Sequence, residues 1–101
     1  MATGTIEGFP IIMESHVWDN ISISANTGST QSADLSKPGY MIMGCAGYEV
    51  SNASSDGSGN AYVVTQSAFI RANGTAYFKV RNVSSSSAKV KLTLYVLYYA
   101  L

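Results

Sequence analysis

Hydrophobic and polar positions alternate along most of this chain with a period of two, and no apolar stripe at helical spacing runs beyond a single turn. The clearest run covers residues 88–101, AKVKLTLYVLYYAL. Val90, Leu92, Leu94, Val96 and Tyr98 fall on one face; Lys89, Lys91, Thr93, Tyr95, Leu97 and Tyr99 fall on the other. Residues 17–25 alternate in the same way, with Val17, Ile21 and Ile23 set against Trp18, Asn20, Ser22 and Ser24. Residues 39–50 predict one long strand or two, with Gly44 and Gly47 as the points where the chain kinks or bulges. Residues 61–70 and 75–83 supply two more β-rich runs.

Turn chemistry punctuates these runs. Residues 26–32, NTGSTQS, read as a polar loop, and residues 34–39 lead through Lys37-Pro38-Gly39 into a strand. Residues 51–60, SNASSDGSGN, form the longest polar connection. Asn73-Gly74 marks a hairpin, because both residues tolerate positive φ. Residues 84–87 separate the last two strands. Short strands at near-regular spacing with such turns indicate an all-β fold, an antiparallel β-sandwich or a barrel. The 101 residues fit one domain, with residues 1–16 as an N-terminal extension or linker.

One pattern goes further than fold class. From Leu94 onward both faces of the last run are apolar or aromatic, with Tyr95, Leu97 and Tyr99 opposite Leu94, Val96 and Tyr98. Residues 40–50 repeat this, with Tyr40, Ile42 and Tyr48 opposite Met41, Met43 and Cys45. A strand that faces water on one side should be polar there. Two-sided burial calls for a second layer, and a chain without helices has no spare element to supply it. A neighbouring subunit is one source; loops wrapped over a central strand, or tolerated surface tyrosines, are the alternatives. Tyr95, Leu97 and Tyr99 are therefore the candidate oligomer interface.

Composition sharpens that expectation. Six basic and six acidic residues give a net charge of zero, and charged residues make up only 12% of the chain against 47% hydrophobic. Zero net charge removes the simplest case for nucleic acid, which asks for a basic face. It also favours self-association. The single Cys45 excludes an intramolecular disulfide. The start, MATGTIEGFPIIMES, lacks a basic leader and any apolar run long enough for membrane insertion. It reads as a leaderless chain, or as a fragment of a longer one with an added Met. Four Asn-x-Ser/Thr triplets, at Asn20, Asn52, Asn73 and Asn82, follow from a Ser- and Asn-rich composition.

Candidate chemistry is sparse, and no catalytic residue is expected. His16 and Glu14 lie two apart and share a strand face, but no nucleophile and oxyanion site accompany them. Cys45 sits among apolar residues with no cation near in sequence to stabilise a thiolate. Counted from Asp56 as a calcium loop, the sixth and twelfth places hold Ala61 and Ser67 rather than Gly and Glu. One Cys and one His cannot make a usual zinc site, so neither metal nor cofactor is expected. What remains is a binding surface. Asn52, Ser54, Ser55, Asp56, Ser58 and Asn60 concentrate short hydrogen-bonding groups that suit polar ligands such as glycans. Tyr48, Tyr62 and Trp18 could stack on sugar faces if exposed, and are otherwise core.

The run DLSKPGYMIMGCAGYEVSNASSDGSGNAYV, followed by NGTAYFKVRNVSSSSAKVKLTLYVLY, resembles the small β-sandwich domains of bacteriophage tail-fibre and other virion-surface proteins, especially from phages of gut bacteria. The resemblance spans roughly residues 17–101 and rests on turn and strand motifs: Pro-Gly-Tyr into a strand, Gly-x-x-Gly-Tyr, a Ser/Asn/Gly loop, an Asn-Gly hairpin and a closing Leu-Tyr-Val-Leu-Tyr strand. It implies a jelly-roll-like, trimeric knob on the virion surface that contacts other virion proteins and a host-surface glycan or protein. No catalytic or binding residue comes with it. A looser similarity is to the compact jelly-roll trimers of the tumour-necrosis and complement type. Two other functions stay open: a carbohydrate-binding or adhesin-like module of a bacterial surface protein, extracellular in that case, and a capsid decoration protein.

Overall fold

A computed structural model describes residues 4–5, 10–55 and 62–101. The fold is all-β. Its strands are β1 (Gly4–Thr5), β2 (Ile11–Ile23), β3 (Gly28–Asp34), β4 (Tyr40–Ser55), β5 (Val63–Ile70), β6 (Thr75–Asn82) and β7 (Ala88–Ala100). They form two antiparallel sheets, sheet A in the order β1-β2-β7-β4 and sheet B in the order β3-β6-β5.

The central strand of each sheet supplies the core. On β7, Val90, Leu92, Leu94, Val96 and Tyr98 are buried; on β6, Ala76, Phe78 and Val80 are buried. These side chains meet between the sheets with Ile23, Leu35 and Ala88 in one cluster. The arrangement is sandwich-like, with every second residue of each central strand pointing inward. Tyr98 brings its hydroxyl inside and donates it to the Leu35 carbonyl at 2.6 Å, so the buried phenol is satisfied.

Register shifts on β2 and β4 change which residues face inward. Between Trp18 and Ile21 the pairing of β2 with β7 slips, and Asn20 adopts φ 53°, a left-handed conformation that Asn tolerates. Strict alternation had put Val17 with Ile21 and Ile23. The bulge reverses the parity, so Val17 faces outward opposite Thr93, while Trp18 faces inward opposite Leu92. On β4 one shift lies between Asn52 and Ser54, and the other two lie between Ile42 and Gly44 and between Cys45 and Gly47, at the two glycines singled out in the sequence. Their effect is to place Cys45, opposite Val96, on the same side as Ile42 and Tyr48 instead of with Met41.

Other sequence expectations also shift. Residues 26–32 are not simply a loop, because β3 begins at Gly28; Ser29, Gln31 and Ala33 are its half-buried inward positions, and neutral polar residues carry no hydrophobic signal. Residues 11–16 belong to β2, so the N-terminal extension does not reach Ile11. Residues 51–55 continue β4, which shortens the expected 51–60 loop. At the hairpin, the Gly74 amide donates to the Arg71 carbonyl at 2.9 Å, and only Gly74, at φ 95°, is left-handed there. The loop therefore has three residues, Ala72-Asn73-Gly74, rather than the two of a primed turn. The Pro38-Gly39 turn forms as the motif predicts: the Tyr40 amide donates to Lys37 carbonyl at 3.1 Å, with Gly39 at φ 82°.

Candidate functional site

Among the described residues, three surfaces gather side chains that the core does not consume. The first is the outer face of sheet A. Ile11, Met13 and Val17 of β2, Tyr95, Leu97 and Tyr99 of β7, and Met41 of β4 lie side by side on it through the pairs Ile11↔Tyr99, Met13↔Leu97 and Met41↔Tyr99. Met13, Val17, Met41 and Tyr99 are exposed, Met41 by 53%. Tyr95 and Leu97 are half-buried by their neighbours within the sheet. The other half of the same face is polar, with Lys89, Lys91, Glu49 and Ser51. Tyr95 sits at the border and donates its hydroxyl to Glu49 Oε1 at 2.8 Å, an attachment that raises the phenol's pKa above its ordinary value. The three residues expected at an interface thus lie on the central strand of an apolar half-face that draws on three strands, with Tyr95 at its edge.

The second surface is a groove at one end of the molecule. It encloses about 510 Å³ between the β3–β4 turn, the β5–β6 hairpin and the C-terminus, and Lys37, Tyr40, Met41, Asn73 and Leu101 contribute to its walls. A smaller recess of about 260 Å³ adjoins it around Glu14, His16 and Lys37. Lys37 donates to Glu14 Oε2 at 2.9 Å and lies 5.2 Å from the Tyr40 ring and 6.0 Å from the Tyr98 ring. The Glu14 hydrogen bond raises the lysine's pKa, so it stays a cation. Nucleophilic and Schiff-base lysines need the opposite, a lowered pKa. Glu14 therefore pairs with Lys37 rather than with His16. The His16 ring meets Trp18 edge-on at 4.5 Å, and its partial burial lowers its pKa, which keeps the imidazole neutral at pH 7. Cys45 is exposed, not sheltered among apolar neighbours, and its Sγ lies 3.4 Å from the Gly47 carbonyl. Among the described residues no group of three or more His, Cys, Asp or Glu side chains could hold a metal ion.

The third surface, the outer face of sheet B, was not singled out in the sequence. Phe69 and Tyr77 stack at 5.3 Å between ring centroids, and the Arg71 guanidinium lies 5.0 Å from the Tyr77 ring. Lys79 and Arg81 follow Tyr77 along the same face of β6. The signal was available: once the hairpin is centred on Asn73, residues 69 and 77 are equidistant from it and must pair. Of the glycan-stacking candidates, Trp18 is half-buried against Phe78, whereas Tyr48 and Tyr62 are exposed.

The polar segment expected to bind ligands is only partly placed. Asn52, Ser54 and Ser55 pair with Val90, Lys89 and Ala88 within β4, and Asp56, Ser58 and Asn60 lie outside the described residues. Asn82 is a structural residue rather than a surface acceptor: fully buried, its amide donates to the Ile23 carbonyl at 3.1 Å and the Ser86 carbonyl at 2.8 Å. Its Oδ1 accepts from the Ser84 amide at 3.0 Å and the Ser84 hydroxyl at 2.6 Å. Compared with known proteins, the chain matches no family model, no curated protein and no solved structure.

Proposed function

We propose that this chain is a non-enzymatic structural module of a bacteriophage virion surface, a tail-fibre or surface-fibre domain for host attachment, and that it assembles as a homotrimer. The observation that carries the assembly is the apolar half-face of sheet A. An open patch of Met13, Met41 and Tyr99 around Leu97, continued past Tyr95 by Val17, is the kind of apolar surface that marks an interaction site. The virion reading draws on the Pro-Gly-Tyr, Asn-Gly and Leu-Tyr-Val-Leu-Tyr motifs. A jelly-roll-like path is supported by four connections that cross between the sheets: β2 to β3, β3 to β4, β4 to β5 and β6 to β7. A second reading, a carbohydrate-binding or adhesin-like module, is favoured by the exposure of Tyr48 and Tyr62.

Light scattering on a sizing column tests the assembly. The unaltered chain should elute with the mass of a trimer, and Leu97→Lys combined with Tyr99→Lys should elute as a folded monomer. The same double variant should lose its ability to compete for host-cell adsorption. A monomeric unaltered chain at micromolar concentration refutes the proposal.

A further inference from the structure

We infer that the outer face of sheet B is a binding surface for an acidic, carboxylate-bearing glycan; this names the ligand class for the attachment function proposed above and rests on that reading. The face segregates charge in a chain whose net charge is zero. Among the described residues it carries Arg71, Lys79 and Arg81, half of the chain's six basic residues, and one carboxylate, Asp34. Asp34 lies at the far end, opposite Thr75, and its Oδ1 is occupied by the Ser36 amide at 3.0 Å and the Ser36 hydroxyl at 2.7 Å. The three cations are exposed. Among the described residues Arg81 spends one of its five donors, on the Asn26 carbonyl at 2.9 Å, which fixes the guanidinium.

The spacing suits a chain of sugars. Tyr77, Lys79 and Arg81 alternate along β6, so they project from the same face over about 14 Å. Hydroxyls flank them on both sides: Ser32 opposite Tyr77 and Thr30 opposite Lys79 on β3, and Ser67 opposite Lys79 on β5. Phe69, 40% exposed and backed by the Tyr77 ring, offers the apolar C–H face of a pyranose one flat partner. A single-stranded nucleic acid asks for more. It stacks successive bases on several open rings along a strongly basic track. Here the Tyr77 ring is already engaged by Phe69 and Arg71, and only three cations are present. Sugar rings bearing carboxylates need one ring, a few hydroxyl partners and spaced cations.

Fluorescence anisotropy with an end-labelled oligogalacturonate provides the test, with a malto-oligosaccharide and an oligothymidylate of similar length as the other two arms. The expected result is binding of oligogalacturonate that weakens with salt, no binding of the neutral sugar, and weaker binding of oligothymidylate. Phe69→Ala should lower the affinity about tenfold, the order of a lost ring-stacking contact. Lys79→Gln with Arg81→Gln should lower it by a similar factor and flatten the salt dependence, as exposed ion pairs are each worth up to about fivefold. Lys79→Gln alone, at an exposed position, keeps the test valid if Phe69→Ala does not fold. Absence of oligogalacturonate binding, equal or tighter binding of oligothymidylate, or affinity unchanged in the folded variants overturns the inference. Light scattering on the same samples separates the two proposals. A trimer that ignores oligogalacturonate refutes only the glycan surface, and a monomer that binds it refutes only the assembly.

Discussion

Asn82→Ala removes an amide that joins three segments at one end of the molecule: the end of β2 through Ile23, the end of β6, and the turn through Ser84 and Ser86. Four hydrogen bonds disappear with it. Each is worth about 1 kcal/mol net, and buried groups left without partners cost about 1–3 kcal/mol each. The Ile23 carbonyl and the Ser84 amide are the groups most exposed to that penalty. A loss of about 3–5 kcal/mol follows, a large share of the roughly 5–15 kcal/mol that holds a domain together. In thermal unfolding this should lower Tm by about 15 °C or more for a chain of this length. Asn82→Asp discriminates further. It keeps the acceptor for Ser84 but turns an oxygen toward the Ile23 and Ser86 carbonyls, so the variant should be least stable at neutral pH and recover as acid protonates the introduced carboxyl. Urea titrations at pH 7 and pH 4 read both effects. If Asn82→Ala stays within about 1 kcal/mol of the unaltered protein, the buried amide does not hold this end closed and the reasoning fails.

Gly74→Ala should cost about 2 kcal/mol or more in denaturant unfolding, because φ is 95° there and an added Cβ would meet the Ser36 Cβ at 2.9 Å. Tyr98→Phe leaves the Leu35 carbonyl without its buried donor and should cost about 1–3 kcal/mol by the same measurement. His16 gives a pH signature. Its folded pKa lies below the ordinary 6.5, so below that pH the unfolded chain binds the proton more readily and stability falls with acidity. His16→Gln should flatten the stability profile between pH 7 and pH 5; an unchanged slope would assign that loss to other groups. Asp34, whose pKa is lowered by the Ser36 hydrogen bonds, acts lower on the scale: its contribution is complete above pH 3.8 and fades as pH falls through the folded pKa, so Asp34→Asn should reduce the acid sensitivity seen there.

The strands whose hydrophobic residues alternate without interruption were legible. On β7 the inward set of Val90, Leu92, Leu94, Val96 and Tyr98 is the one that alternation assigns. Where a residue is inserted into the ladder, alternation misleads. Val17 and Trp18 exchange faces because the shift before Ile21 is not encoded in any glycine, and the β4 shift between Asn52 and Ser54 likewise has no glycine to mark it, whereas the two β4 shifts beside Gly44 and Gly47 were anticipated. Strand β3 was missed because Ser29, Gln31 and Ala33 are held inward by pairing with Val80, Phe78 and Ala76, not by their own hydrophobicity. Asn82 resembled any other Asn-x-Ser triplet, since only the convergence of Ile23, Ser84 and Ser86 reveals its role. The sheet A face was visible as Tyr95, Leu97 and Tyr99 along one strand. Its breadth was not, because the contributions of β2 and β4 depend on register.

The irregular margin of sheet A bears on how copies of this chain can meet. Strand β4 lies at that margin, paired among the described residues only with β7, and its pairing skips between Ile42 and Gly44, Cys45 and Gly47, and Asn52 and Ser54. A straight margin would offer a newcomer an uninterrupted row of amides and carbonyls, the template on which fibrils grow. Three interruptions along 16 residues break that row into short lengths of mismatched phase, so an incoming strand in register with one length is out of register with the next. Strand addition is thereby disfavoured, and layer-on-layer stacking remains open. Along this margin, the apolar face of sheet A can serve assembly without the β4 edge offering a seed for strand-by-strand growth.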